Sequence, residues 1–150
     1  MAQVKVTAER TVGASAAKVS GALADYTETR PKLLTDQFSE YEVRDGGSGA
    51  GTTVHWKLQA TQKRVRDCLF AVTAPEENTL VETDANSSMV TTWTVRAAGE
   101  GRSTVGIETT WNGAGGIGGF FEKTFAPLGM RKIYDAMLTK LDGVVSAQAD

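Results

Sequence analysis

The sequence predicts an α+β domain, one antiparallel sheet covered by a long C-terminal helix. Three observations carry that reading. Residues 4–12 alternate apolar and polar side chains with period two, the mark of a half-buried strand. From residue 38 to residue 111 the alternation continues, broken only by short glycine-rich or acidic turns. Beyond residue 120 the apolar side chains recur at three- and four-residue steps, as on one face of a helix.

The elements follow in order. "VKVTAERTV" sets Val4, Val6 and Ala8 against Lys5, Thr7 and Glu9. "GASAAKVSGALADY" changes to helical spacing, with Ala16, Val19, Ala22 and Leu23 on one side. Ser15 is placed as its N-cap, since its oxygen can accept an orphan backbone N–H. "TETRPKLL" is a second short helix with Pro31 in its first turn. "FSEYEV" puts Tyr41 and Val43 on one face, and "DGGSGAG" is a turn by composition. "TTVHWKLQA" puts Val54, Trp56, Leu58 and Ala60 on one face and His55, Lys57 and Gln59 on the other. "RDCLFAVTA" is apolar on both faces. "TLVETDA" is short and mixed. "SMVTTWTVRA" and "STVGIETTW" alternate on either side of the turn "AGEGR".

Hairpin registers test the phases. A turn centred on Glu100 sets Trp93 opposite Ile107 and Val95 opposite Val105, so both apolar sets share a face. A turn centred on Lys63 sets Trp56 opposite Phe70 and Leu58 opposite Cys68, which turns Cys68, Phe70 and Val72 inward. A turn near Glu77 sets Glu82 opposite Val72 and Asp84 opposite Phe70, turning two carboxylates inward. A slip of one residue would put Val81 and Thr83 inward instead. In the C-terminal segment Phe121, Phe125, Leu128, Ile133, Tyr134, Met137, Leu138, Leu141 and Val145 form the apolar stripe. Pro127 interrupts it and predicts a kink or break over Phe125–Gly129.

Composition narrows the class. A chain of 150 residues reads as one domain, residues 1–150, long enough for a core without staples. The net charge of −2 carries no basic excess of the kind that binds nucleic acid or acidic membrane. No apolar run reaches the length of a signal peptide core or a membrane span. Cys68 is the single cysteine, so an intrachain disulfide is excluded and a reducing, cytoplasmic setting is expected. His55 is the single histidine; no metal site and no cofactor are expected.

One motif invites a nucleotide. Gly113, Gly115 and Gly118 in "NGAGGIGG" spell G-x-G-x-x-G between a strand and a helix. A dinucleotide fingerprint needs a parallel second strand after the helix, and here only helix follows. Asp135 lies inside the helical pattern, and no Gly-Lys-Ser/Thr occurs. The glycines therefore read as the sharp exit from the last strand into the helix, with a mobile flap as the second reading.

The opening "VTAERTVGASAAKVSGALADY", the turn "GGSGAGTTVHW", "SSMVTTWTV" and the ending "GGFFEKTFAPLGMRKIYDAMLTKL" together resemble the START-like, helix-grip superfamily (SRPBCC), especially its bacterial polyketide cyclase/dehydrase-type members. These are fold markers spanning the chain, not catalytic motifs. The resemblance implies a curved antiparallel sheet of about seven strands wrapped around the C-terminal helix, with two short helices between strands one and two. It also implies a cavity between sheet and helix that takes apolar or aromatic small molecules. Some members cyclise, dehydrate or hydrolyse them. Many relatives carry tryptophans where this chain has "YTETRPKLL".

The expected ligand is therefore an apolar small molecule, lipid or polyketide-like, held by Trp56, Leu58, Phe70, Trp93, Ile107, Trp111, Phe121, Phe125, Met130, Tyr134 and Met137. Met89 adds to an adaptable methionine wall. Packing alone also explains such aromatic stripes. The alternative is a cyclase or dehydratase using Glu82 and Asp84, with Arg66 or Arg64 as their partner. A further alternative is an interaction protein with a filled core. His55 reads as a surface residue turned away from the cavity, and Cys68 as a small buried hydrophobe. Nucleic acid and membrane insertion are not expected, and a homodimer is left open.

Overall fold

A computed structural model describes the backbone of residues 3–61, 64–112 and 116–147, and the side chains except those of residues 60, 61, 64, 116–127 and 147. The chain runs β1 (Gln3–Val12), α1 (Ala16–Ala24), α2 (Thr29–Lys32), β2 (Phe38–Asp45), β3 (Thr53–Thr61), β4 (Arg64–Thr73), β5 (Thr79–Asp84), β6 (Val90–Ala97), β7 (Ser103–Asn112) and α3 (Gly116–Ala147). The seven strands form one sheet in the order β1-β7-β6-β5-β4-β3-β2, and every pairing is antiparallel.

That order explains where the helices lie. Strands β2 to β7 are a meander, and β1 is added outside β7. β1 and β2 are thus opposite edges, although they are joined by a short connection. Six inter-strand spacings amount to roughly 29 Å in a flat sheet. The connection must cross the sheet, and α1 and α2 do so over its inner face. Ser15 caps α1 as expected, its Oγ accepting the Lys18 N–H at 3.3 Å. Val19, Ala22 and Leu23 face inward.

The sheet phases agree with the alternation. Trp93 pairs with Ile107 and Val95 with Val105. Glu82 pairs with Val72 and Asp84 with Phe70, and both carboxylates are buried. One register differs. Trp56 pairs with Cys68 and Leu58 with Arg66, two residues from the expected partners, and the ladder is irregular between Gln59 and Thr61. A shift of two preserves the face of every side chain, so Cys68, Phe70 and Val72 still point inward. The Trp56 and Phe70 rings meet diagonally, with centroids 4.7 Å apart. In β2 the register shifts between Ser39 and Glu42, and Glu40 takes a φ of 53°. The extra residue reverses the phase. Phe38 and Tyr41, three positions apart, therefore both reach Trp56.

Helix α3 presents Met130, Ile133, Tyr134, Met137, Leu138, Leu141 and Val145 to the sheet. Two expectations for this helix change. It runs through Pro127 without a break, since a proline deletes one bond but does not by itself end a helix packed along its length. Leu128 is 60% exposed rather than part of the buried stripe. It precedes Met130 by two residues, about 200° around the helix. Phe121 and Phe125 have side chains outside the described set, as do the motif residues Gly113 and Gly115.

The glycine-rich turn between β2 and β3 is docked rather than loose. Tyr26 N–H donates to the Gly47 carbonyl at 3.0 Å, and Gly49 N–H to Ala24 at 2.8 Å. Gly46 has a φ of +68°, and a Cβ there would lie 2.9 Å from the Thr52 Cα. We expect Gly46→Ala to cost about 1–3 kcal/mol. Gly21, in the exposed face of α1 with no atom near its missing Cβ, is the control. Gly21→Ala should instead add roughly 0.5–1 kcal/mol. Urea unfolding of the two variants checks both signs.

Candidate functional site

Glu82 lies mid-strand in β5, where alternation turns it into the core at 1% exposure. A bare carboxylate there would be costly. Its partner is Arg30 from α2, with a nitrogen-to-oxygen distance of 2.9 Å and both side chains buried. The Tyr26 hydroxyl donates to the same oxygen, Oε2, at 2.5 Å. The Trp93 indole N–H donates to Oε1 at 3.2 Å. Arg30 also donates to the Leu23 carbonyl at 3.1 Å. Its guanidinium packs against the rings of Tyr26 and Trp93, 4.5 and 4.8 Å from their centroids. Burial is the strongest single effect and opposes the Arg30 charge, but the Glu82 carboxylate together with Tyr26 and Tyr41 outweighs it and holds the pKa above the ordinary value. Desolvation, followed by the Glu82 charge, pushes Tyr26 far above the usual range.

Local structure prepares this cluster. The Asp25 carboxylate accepts the backbone N–H groups of Thr27 and Glu28 at 3.2 and 3.1 Å and the Thr29 hydroxyl at 3.0 Å. The Glu28 bond leads the effects that hold Asp25 below the ordinary carboxylate value. The turn so formed sets Tyr26 and Arg30 on the same side of the connection. Tyr41, stacked on Trp56, donates its hydroxyl to the Tyr26 carbonyl at 2.5 Å. Its pKa is pushed up to about 12, chiefly by burial.

Above the cluster lies a hollow between the sheet and α3. Of the residues expected to hold a ligand, Trp56, Leu58, Phe70, Trp93 and Ile107 line it from the sheet, and Met130, Tyr134 and Met137 from the helix. Glu82 is also in its wall. Arg30, Leu34, Phe38, Tyr41, Met89 and Thr91 complete it. The free space is about 30 Å³, on the order of two water molecules. Tyr134 brings a polar point to the helix side. Its hydroxyl is 2.6 Å from Thr109 Oγ1, which is 2.8 Å from Thr91 Oγ1. Burial pushes the Tyr134 pKa up to about 12.

Three expected site residues are placed elsewhere. Asp84 points inward but is held locally, accepting the N–H of Leu69 across the β4–β5 pair at 2.9 Å and, in its own turn, the Asn86 N–H and the Ser87 hydroxyl at 3.0 and 2.6 Å. Trp111 is buried outside the hollow, and Arg66 lies over its ring at 5.6 Å. The cation that meets Glu82 is thus Arg30 rather than Arg66, and the Arg64 side chain is outside the described set. Cys68 is fully buried, and desolvation pushes its thiol up to about 12. His55 does lie on the outer face, but it is buried rather than superficial, between the Glu40 carbonyl at 2.9 Å and Asp67 Oδ1 at 2.7 Å. Among the described residues no group of three or more His, Cys, Asp or Glu side chains is placed to hold a metal ion, and no helix is long and apolar enough to cross a membrane.

Arg30 is the site residue that sequence reasoning missed. Its signal was the inward Glu82, which required a cation. Cross-strand logic directs the search to Arg64 and Arg66, whereas the true partner comes from a connection that crosses the sheet. A larger open groove of about 450 Å³ lies beside α1, lined in part by Leu23, Leu80, Trp93 and Val95. Trp93 belongs to both linings, so its indole separates groove from hollow.

Two outcomes follow from this electrostatic arrangement. Glu82→Gln should cost about 3–5 kcal/mol, because it leaves a buried guanidinium unpaired. Adding Arg30→Met should recover most of that loss in thermal unfolding, a non-additivity that only a direct pair produces. All three tyrosines hold their protons more tightly folded than unfolded. Their contribution to stability is complete below pH about 10 and is lost as pH rises toward 12. The tyrosinate absorbance should therefore stay flat through pH 10 and rise only with unfolding.

The comparisons with known proteins agree with this geometry. The KanY protein, solved in solution by NMR, is 50% identical, with 98% of this chain and 100% of that chain covered and a TM-score of 0.88. A protein from Thermus thermophilus is 21% identical, with 97% and 99% covered and a TM-score of 0.80. The Zhui aromatase/cyclase from Streptomyces sp. R1128 is 14% identical, with 96% and 94% covered and a TM-score of 0.74. The last two are likenesses of fold. No curated protein matches the sequence. Residues 3–146 match the family described as polyketide cyclase / dehydrase and lipid transport. The chain has the helix-grip architecture and belongs to that family.

Proposed function

We propose that the protein binds an apolar or aromatic small molecule, lipid or polyketide-like, in the hollow between the sheet and α3. The observation that carries this reading is the placement of methionine. The sequence has four, and the three beyond Met1, namely Met89, Met130 and Met137, all line the same hollow. Methionine is unbranched and polarisable, and it repacks around guests of different shape. Aromatic rings, a methionine wall and a few polar groups are the usual make-up of a small-molecule site. A guest would gain roughly 25 cal/mol per Å² of apolar surface buried, before entropic costs.

The hollow of about 30 Å³ is smaller than such a guest. Binding therefore requires the methionine and aromatic walls to move apart, and the occupied state is wider than this one. The same volume favours one second reading, a core filled by its own side chains in an interaction protein. The cyclase or dehydratase reading loses its carboxylates, because Asp84 is committed to its turn and Glu82 to Arg30, Tyr26 and Trp93.

Native mass spectrometry of the purified protein, with a denatured sample beside it, separates these readings. The expected result is a discrete extra mass that disappears on denaturation. Met137→Trp should remove that mass while the variant still unfolds cooperatively, at an overpacking cost of about 1–3 kcal/mol. A clean protein mass, together with no uptake of any apolar fluorescent probe, would move the assignment to the filled core.

A further inference from the structure

We propose that His55 positions one wall of the hollow, as a latch that holds Phe38 and Tyr41 closed on Trp56 while the imidazole is protonated and frees them when it is not. The consequence for a guest rests on the hollow being a ligand site. On the outer face of the sheet, His55 of β3 is 7% exposed. Its Nδ1 is 2.9 Å from the Glu40 carbonyl, and its Nε2 is 2.7 Å from Asp67 Oδ1. A carbonyl oxygen only accepts, so Nδ1 carries a proton. Asp67 is held below the ordinary carboxylate value, first by its hydrogen bond with His55, so it is an acceptor as well. The two bonds together therefore require an imidazolium. A neutral ring has one N–H and turns a lone pair toward one of the two oxygens, which makes that contact a repulsion.

The bond to Glu40 ties this ring to the hollow. Glu40 lies where β2 bulges: its φ is 53°, and the register shifts between Ser39 and Glu42. β2 is an edge strand with β3 as its neighbour. A non-glycine residue at positive φ persists only where its surroundings hold it. Two side chains of β3 do so, His55 at the Glu40 carbonyl and Lys57 at its carboxylate, 2.9 Å from Oε2. The bulge brings Phe38 and Tyr41 together on Trp56, and all three line the hollow. Asp67 anchors the ring from β4 and is itself fixed by Asn86, whose Nδ2 donates to Oδ2 at 3.1 Å. Among the described residues, the other charged groups around the ring are Glu42 and Arg44 of β2, paired with each other at 2.9 Å. Histidine is the side chain whose charge changes between about pH 5 and pH 8. The latch is thus complete at the acid end of that interval and is lost as pH rises, while Asp67, with its lowered pKa, stays charged throughout. A hollow of about 30 Å³ admits a guest only when a wall moves, so loss of the latch favours uptake.

His55 is the single histidine, so its ring signals are unambiguous in an NMR titration of the intact protein. From about pH 5 to pH 9, the Trp56 indole signal, assigned with Trp56→Phe, should move along the same curve as the ring. Uptake of Nile red, an uncharged apolar dye, should be roughly tenfold faster at the alkaline end, the worth of one charge-assisted hydrogen bond. Asp67→Asn is the deciding variant. The Asp67 side chain is 56% exposed, so the substitution spares the core. The new amide can donate to Nε2 and accept from Asn86, which keeps both contacts with a neutral ring. The variant should therefore hold the wall closed across the whole interval, with slow dye uptake that does not change with pH. Titration of the unsubstituted protein decides the matter if the variant fails to fold. A Trp56 signal that ignores the ring titration, or a pH profile of uptake unchanged in Asp67→Asn, overturns the latch and leaves the ligand site standing. A Trp56 signal that follows the ring, with no dye taken up at any pH, supports the latch and overturns the ligand site.

Discussion

The buried pair of Arg30 and Glu82 is the interaction on which the rest of this structure depends. Glu82 is turned inward by the pleat of β5 and is 1% exposed. Its charge must be matched where it stands. The match comes from α2, so the connection between β1 and β2 is anchored over the centre of the sheet. Tyr26 and Trp93 complete the carboxylate's hydrogen bonds and also sandwich the guanidinium. The glycine turn then has a defined task. Gly47 receives the Tyr26 N–H and keeps that connection pressed against the strands. Four separate segments converge on one ion pair.

The same pair shapes the hollow. It closes the floor with charge-balanced, hydrogen-bonded groups, and Trp93 stands as the partition between hollow and outer groove. A floor of this kind is rigid, because every polar atom in it has a geometric obligation. The opposite wall, on α3, is made of Met130, Tyr134 and Met137, two of them among the most adaptable side chains a core can hold. Adaptability and rigidity are thus divided between helix and sheet. A family described by cyclisation, dehydration and lipid transport can vary its guests on such a plan, since the fold supplies the enclosure and the wall residues supply the selection.

Much of this was legible in the chain. The phases of β6 and β7 followed from alternation and turn spacing, which pair Trp93 with Ile107; for β5 the turn near Glu77 pointed Glu82 and Asp84 inward while a one-residue slip stayed open, and the structure has the inward carboxylates. The wall residues Trp56, Phe70, Tyr134 and Met137 were legible for the same reason. The limits are physical too. The β3–β4 pairing missed by two residues: Thr61 pairs with Arg64, one residue tighter than a turn centred on Lys63 gives, and the extra residue between Gln59 and Thr61 adds the second, so the face is unchanged. Leu128 fitted a loose three-or-four spacing yet falls off the stripe of Met130, Ile133, Tyr134 and Met137. Phe38 reaches Trp56 only because a bulge reverses the phase of β2.

Sequence by itself determined which side chains face inward, because the pleat of a strand and the turn of a helix are local geometries that alternation and spacing record directly. Tertiary structure decided what those side chains meet. Arg30 and Glu82 belong to different elements, and only the antiparallel order with β1 and β2 at opposite edges forces α2 across the sheet to bring them together. The fates of the two inward carboxylates show the difference. Alternation treats Glu82 and Asp84 alike, yet one is held by a distant cation and the other by its own turn and the adjacent strand, because burial is a property of the strand and compensation is a property of the fold.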